Sequence, residues 1–395
     1  MPTADAAPGS TASLGTANRH RVLDALRRQG VESALPRGRV LTQADLARIT
    51  GLAPATVSNI VREFAAAGLV TTEPGSGRRG TSVRLSPGAG LVAGVDFGHS
   101  HVAVAVGDLT GEVLTETWRD LDPSHAYDEG LRQAALMLDG CLAMLGFDRS
   151  ALRTVGLGLP APMIDETVPP SLILPGWAGV NARKVAEDRL SCTVYVENDA
   201  NLGALAEHRI GAARDHPPSI FITLSSGVGS GLIIDDELFH GASGTAGEVG
   251  HLTVNEQGPV CRCGSRGCLE VYASSGSVMQ SVSTQMPGAS LDDVIVAARA
   301  GNISAMRGLE DAGLQLGKAL GSIVNILNPS LVVVGGDLAR AGDLLLTSTR
   351  VGLRRHALDA VAATPILVGE LGLRASLIGA VLLAAERTEL LSALE

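Results

Sequence analysis

Hydrophobic positions recur at helical spacing through the first seventy residues. They form three sets: Val22, Leu23 and Leu26; Leu46 and Ile49; Val57, Ile60, Val61 and Phe64. Residues three and four apart share a helix face, so each set predicts one buried stripe. The punctuation agrees. Gly30 ends the first helix, over 17–29, after which ESALPRGRV reads as a loop. Thr42 can cap the second helix, with Asp45 at its third position as a partial capping box. Gly51-Leu52 makes a turn and Pro54 opens the third helix. VTTEPGSGRRGTSVRLSP then alternates as two extended runs around Pro74-Gly75-Ser76-Gly77, a β-hairpin signal. Helix, helix, short turn, helix and hairpin is the plan of a winged helix-turn-helix, whose third helix enters a major groove. Residues 1–16 read as a disordered tail, and Ser86-Pro87-Gly88 closes the unit, giving a DNA-binding domain over 17–88.

From Leu91 the period changes from helical to alternating. LVAGVDFGHSHVAVAVGDLTGEVLTETW predicts three strands with turns at Gly98 and Thr110-Gly111. A helix at 126–146, a buried strand in TVGLGLPAP, a helix at 182–190 and a strand-junction-helix in CTVYVENDANLGALAEHRIG follow. The plan then begins again. IFITLSSGVGSGLIID predicts a hairpin. Helices follow at about 276–285, 290–300 and 303–326, then the buried strand LVVVGGDLA, the extended PILVGELG and a helix at 375–391. The two halves match in pattern rather than identity, and they resemble the duplicated actin-like or hexokinase-like ATPase fold. The expected class is α/β: the winged unit followed by this duplicated fold over 89–395.

Residues 247–270, GEVGHLTVNEQGPVCRCGSRGCLE, follow neither period. His251, Cys261, Cys263 and Cys268 fall within eighteen residues there. Three thiolates and an imidazole are a soft, four-ligand set suited to tetrahedral zinc, and four protein ligands make the metal structural. Gly264 and Gly267 supply the tight turning. Glu248 and Glu270 flank the ligands, so a metal clip would also fix two carboxylates able to accept hydrogen bonds from hydroxyls.

GEVGH followed by CxCGxxGCLE resembles the signature of the ROK family (repressors, open reading frames and sugar kinases), over about Leu91 to Ala385. That resemblance implies that His251, Cys261, Cys263 and Cys268 hold zinc and that Glu248, His251 and Glu270 face a sugar. It also implies that Asp199 corresponds to the kinase base and that Asn198 binds a sugar hydroxyl, while either residue can also cap the next helix. The chain departs from the kinases at the phosphate loops. Asp96-Phe97-Gly98-His99-Ser100 stands where they carry DxGGT, which puts an imidazole in place of the second glycine. His99 and His101 alternate so that both can face one ligand. Ser225-Ser226-Gly227-Val228-Gly229-Ser230-Gly231 keeps three glycines but has lost the first Gly-Thr, and Gly335-Gly336-Asp337 matches the adenosine loop in part. Pro160 and Pro162 keep a sugar-side loop with Ala161 replacing Gly. Ile173 stands where the family often has Asn, a loss of one hydrogen bond at about 1 kcal/mol.

Composition refines this picture. In 395 residues there is room for two or three cores; 45% hydrophobic with 3% aromatic makes them aliphatic. No eighteen-residue apolar run predicts a membrane span and the N-terminus lacks a signal-peptide pattern. Thiolate zinc without a paired-cysteine framework fits a cytoplasmic protein. The formal net charge of −10 argues against nucleic acid until it is divided: residues 1–90 carry eleven Arg and six acids, a net +5, which leaves −15 for the rest. On the third helix Asn59 can pair with adenine, Arg62 with guanine or phosphate, and Thr56 and Ser58 with phosphates or thymine methyls. Arg78 and Arg79 on the wing can reach phosphates or the minor groove. The head resembles a MarR-like winged helix, which ROK repressors carry and ROK kinases lack. The expectation is a sugar-responsive repressor of carbohydrate genes without kinase turnover. It would bind a double-stranded operator and a sugar effector as a homodimer or homotetramer, with the zinc loop as relay. The alternative is an ATP-dependent sugar kinase with an added DNA-binding head.

Overall fold

The computed structural model describes residues 11–27, 40–75, 80–163, 166–169 and 174–390. Helix α1 (Thr11–Arg27) opens the N-terminal unit. Strand β1 (Leu41–Thr42), α2 (Gln43–Thr50), α3 (Pro54–Ala66), β2 (Val70–Glu73) and β3 (Ser82–Leu85) complete it. The capping box is complete: Asp45 N donates to Thr42 Oγ1 at 3.2 Å and Thr42 N to Asp45 Oδ2 at 3.1 Å. Val57, Ile60, Val61 and Phe64 are all buried, as their spacing predicts. The hairpin is a three-stranded sheet, because Leu41 pairs with Val83 in the order β1-β3-β2.

The expected disordered tail over 1–16 needs correction, since residues 11–16 are the first turns of α1. Burial of Val22, Leu23 and Leu26 nucleates this helix, and each further residue then adds a hydrogen bond at little cost. Residues 1–10 lie outside the described residues. So do Gly30, the loop up to residue 39, the wing tip from Ser76 to Arg79, and Ile173.

The first half of the body contains β4 (Leu91–Phe97), β5 (His101–Gly107), β6 (Val113–Asp120), α4 (Tyr127–Met144), β7 (Leu152–Leu159), α5 (Ala182–Leu190), β8 (Thr193–Asn198) and α6 (Asp199–Ile210). The second contains β9 (Ser219–Leu224), β10 (Val228–Ile234), β11 (Glu237–Leu238), α7 (Glu270–Ala273), α8 (Ser275–Val282), α9 (Leu291–Arg299), α10 (Ile303–Leu327), β12 (Leu331–Gly335), α11 (Asp343–His356) and β13 (Ile366–Val368). Helix α12 (Ala375–Arg387) follows. The sheets run β6-β5-β4-β7-β8 and β11-β10-β9-β12-β13, each a meander with two parallel strands added beside its first strand. The repeat expected from pattern therefore holds in topology. Among the described residues no helix is long and apolar enough to cross a membrane.

Helix α11 is an element that the hydrophobic pattern did not yield. Leu345, Leu346, Thr349 and Leu353 are buried on it, facing α10. Helix α12 packs on α6, β4 and β7. Its Leu377, Val381, Ala384 and Ala385 lie in one apolar cluster with Val22, Leu26 and Phe64 of the winged unit. Arg27, at the end of α1, donates to the carbonyls of Glu386, in the last turn of α12, and of Thr388, its C-cap. The head and body thus share a core.

Glu207 on α6 is fully buried, and its carboxylate accepts the backbone N–H groups of Ala212 (2.8 Å), Leu371 (2.9 Å) and Glu370 (3.2 Å). It fixes the strap that leads into α12. Glu207→Ala should cost about 2 kcal/mol, because a hydrogen bond to a charged group contributes about 1.5–3 kcal/mol and the part-buried donors at Ala212, Glu370 and Leu371 regain water only in part. Urea melts measure this, and a loss below about 1 kcal/mol would show that the carboxylate is dispensable.

Candidate functional site

Between the two halves lies a cleft of about 1080 Å³. The ends of β4, β7 and β8, the turn between β9 and β10, and the start of α12 form its walls. Asn198, Asp199, Glu248, His251 and Glu270 all line it. Asn198 and Asp199 thus share one cleft with Glu248, His251 and Glu270, which lie 49 to 72 positions further along the chain, although the surroundings of each differ.

Asn198 is the cap of α6. Its Oδ1 accepts Ala200 N at 3.0 Å and Asn201 N at 3.2 Å, while its Nδ2 donates to Ala161 O at 3.3 Å. Asp199 opens α6 beside it. Burial pushes its carboxyl up to about 7, with the nearby Asp96 charge as a second cause. Asp96 is 6% exposed, and burial raises it too. Ser376 Oγ donates to its Oδ1 at 2.5 Å, which joins α12 to the end of β4.

At the first phosphate-like loop, the imidazole of His101 covers the backbone. A Cβ on Gly98 would lie 2.1 Å from His101 Cε1. The His101 ring sits 4.0 Å from Asp96 Oδ2 and 5.7 Å between centroids from Trp118. His99 and Ser100 line the cleft alongside. In the second loop, Gly231 meets a different demand from phosphate approach, since a Cβ there would lie 2.5 Å from Ala204 Cβ on α6. Its role is helix-sheet packing. Ser225 Oγ accepts Asp337 N at 3.1 Å and so ties this loop to the Gly335-Gly336-Asp337 turn.

The loop over 247–270 folds on itself through Cys261 N to Ser265 O at 2.8 Å and a bridge between Thr253 and Cys268. Gly264 and Gly267 both take positive φ, +89° and +59°, as the spacing required. The ligand atoms of His251, Cys261, Cys263 and Cys268 lie within 4.8 Å of one another, an arrangement compatible with a metal site. Cys261 Sγ is 3.7 Å from His251 Nδ1, and Cys263 Sγ is 3.6 Å from Cys268 Sγ. The edge of a tetrahedron of sulfurs around zinc is about 3.8 Å. Burial and the neighbouring sulfurs push the Cys268 thiol well up, the electrostatic situation that a cation relieves. The other face of His251 looks into the cleft, with Nε2 3.9 Å from Glu248 Oε2.

Glu270 differs most from expectation. It is 6% exposed and accepts Val228 N at 3.2 Å and an ion pair from Arg262. Arg262, which the sequence reading passed over, lines the cleft there. Its position between two metal-type cysteines was the available signal. His240, also assigned no role, pairs with Glu197 at 2.7 Å, and Glu197 in turn accepts Asn201 Nδ2 at 2.8 Å. On the winged unit Asn59 and Arg62 are exposed and Thr56 and Ser58 half-buried, with Arg62 Nη1 donating to Asn59 Oδ1 at 3.3 Å. Arg78 and Arg79 lie outside the described residues.

The profile of the ROK family matches residues 92–387 and that of the MarR family residues 16–79. The xylose repressor of Bacillus subtilis (strain 168) is 29% identical over 317 residues, covering 78% of this chain and 82% of that one. A crystal structure of a ROK family transcriptional regulator, a homologue of the E. coli MLC protein, superposes with a TM-score of 0.78 at 24% identity, over 95% of this chain and 99% of that one. A ROK family glucokinase from Streptomyces griseus, solved with glucose and AMPPNP, superposes at 0.67 and 30% identity, over 75% of this chain and 100% of that one.

Because the folded pKa of Asp199 lies above that of an unfolded aspartate, at about 3.9, the folded chain keeps this proton longer. Its contribution to stability therefore falls as pH rises from about 4 to about 7 and is level above. Asp199→Asn should gain stability over the parent on going from about pH 5 to pH 8, on the order of 1 kcal/mol or more. Urea midpoints at the two pH values measure it. A difference that does not change with pH contradicts the assignment.

Proposed function

Because this chain belongs to the ROK family and carries a MarR-type winged helix at its N-terminus, we propose that it is a sugar-responsive, DNA-binding transcriptional repressor of carbohydrate genes. The observation that carries the reading is the course of α12. It begins in the cleft, where Ala375, Ser376 and Leu377 line the wall, and ends against α1 of the winged unit. A sugar that changes the Asp96–Ser376 contact acts on the helix that holds the DNA-binding head. It shifts the head only by binding its two arrangements unequally. This adds a route to the expected relay through the zinc loop.

Asn198, Asp199, Glu248, His251 and Glu270 would contact the sugar. His251, Cys261, Cys263 and Cys268 would hold a structural zinc ion that fixes the loop under it. The donor set and the 3.6–3.7 Å separations fit that ion. On DNA, Thr56, Ser58, Asn59 and Arg62 would read the major groove and Arg78 and Arg79 the flanking backbone. A two-fold operator calls for a homodimer or homotetramer.

Asp199 favours a second reading, an ATP-dependent sugar kinase with an added head. A carboxyl near 7 is well placed to take a hydroxyl proton. Against it, the imidazole of His101 covers Gly98 and His99 replaces the second glycine of the loop. ROK repressors and ROK kinases both stand among the relatives.

A thermal melt of the full chain with zinc, against sugars with and without Mg-ATP, separates these readings. Ligand at about a hundred times its Kd adds roughly 2.7 kcal/mol. The proposal predicts a shift with one sugar, none with ATP, and release of an operator fragment by the same sugar. A shift with ATP and turnover lost in Asp199→Asn would establish the kinase. Cys263→Ser should lose bound zinc, counted by elemental analysis, and lower the midpoint by several degrees. Full zinc content with an unchanged midpoint would remove Cys263 from the ligand set.

A further inference from the structure

We infer that Trp118 is a stacking platform for a second ring, so that this cleft takes a glycoside of two rings rather than a single sugar. The inference rests on reading the cleft as a sugar site and names the class of ligand.

Strand β6 is the edge of its sheet, and alternate residues of a strand share a face. Glu116, Trp118 and Asp120 line the cleft from one such face. The register sets Trp118 beside Ala103 on β5, and Ala103 beside Asp96 on β4. The three form a row across the sheet, with only a methyl group in the middle. Two strand spacings, about 10 Å, separate its ends. The inner end is the proposed hydroxyl site, since the Asp96 charge acts on Asp199. A single sugar held there stops short of Trp118. A ring joined to it through a glycosidic oxygen lies over Ala103 and reaches the indole.

The outer end of the row is an open aromatic surface. Apart from histidines, two aromatic side chains line the cleft: Phe221 is 4% exposed and Trp118 59%. The His101 ring is tilted by 33° against the indole at 5.7 Å between centroids, so the two rings do not stack. Leu373, also 59% exposed, borders the same end. Its neighbour Arg374 pairs with Glu116 at 2.7 Å, which holds the turn Gly372–Arg374 against β6. An indole and a leucine offer apolar surface to the C–H face of a sugar ring, while Asp120 at the rim offers acceptors to its hydroxyls. The size of the cleft agrees. Its 1080 Å³ stands at the top of the range of about 300–1,000 Å³ that serves drug-sized ligands, far more than one sugar ring fills.

The chain has two tryptophans, and Trp177 is fully buried, so iodide quenching of tryptophan fluorescence reports on Trp118. The zinc-loaded full chain is titrated by calorimetry with glucose, galactose and xylose, and with cellobiose, gentiobiose, lactose, melibiose and xylobiose. The expected result is that one two-ring sugar binds at least tenfold more tightly than its one-ring parent and shields Trp118 from iodide. Trp118→Ala should bring that ratio close to one. Trp118→Phe, which keeps an aromatic face, should retain part of it. The thermal midpoint of both variants, measured alongside, shows that the fold is intact. One-ring and two-ring sugars binding alike, with Trp118 open to iodide throughout, would overturn the inference and leave the sugar sensor standing. Shielding by Mg-ATP in place of a sugar would overturn it as well, because the indole then serves a nucleotide base. Binding of none of these sugars would overturn the sugar reading, and the inference with it.

Discussion

Burial of α12 on nearly all sides is the constraint from which the rest of the molecule is positioned. Ten of its residues, from Ala375 to Ala385, are buried. A helix apolar all round has to be core. Each buried leucine-sized side chain contributes about 1.5–3 kcal/mol, against about 0–1 for an exposed ion pair such as Arg374–Glu116. Packing therefore sets where the helix lies, and polar contacts at its two ends read that position out. Ser376 touches Asp96 in the cleft, and the carbonyls of Glu386 and Thr388 receive Arg27 from the winged unit. An apolar rod with a polar contact at each end can carry a displacement because a close-packed interior deforms little.

In the cleft the residues proposed for a sugar's hydroxyls stand apart from the loop that resembles a phosphate loop. Asn198 and Asp199 remain on the rigid junction of β8 and α6, and His251 turns one nitrogen to the sulfurs and the other toward Glu248. At the loop around Gly98 the imidazole of His101 lies over the backbone. The glycines of the second loop persist partly for another reason. Gly231 is needed by the packing of β10 on α6 whatever the ligand. A retained glycine motif is thus weak support for phosphate binding when the same residue has a structural duty.

What the sequence made legible was local. The capping box at Thr42 and Asp45, the buried stripe of α3 and the glycine turns around the cysteines follow from spacing alone, and each appears where spacing put it. The duplication was legible from the recurrence of strands and helices, whereas the order of the strands in each sheet and the two-residue β11 were not. What stayed hidden depends on partners far away in the chain. Strand β1 exists because Leu41 meets Val83. Helix α11 carries its buried residues as a face for α10, with Arg350, Arg354 and Arg355 interrupting the pattern. Glu207 looks like any helical acid until the backbone of 370–371 arrives beside it. Arg262 was passed over because its neighbours in sequence are metal-type ligands, whereas its partner, Glu270, comes from the next helix.

The coupling of the cleft to the winged unit is tested most directly by a linkage cycle on the full chain. Operator affinity is measured with and without the sugar that shifts the melt, and sugar affinity with and without operator. The account predicts that each ligand weakens the other by one common factor, and that Arg27→Ala, which cuts the contact between α1 and the end of α12, brings that factor toward one while leaving sugar affinity intact. Equal operator affinity in the presence and absence of the bound sugar would contradict it.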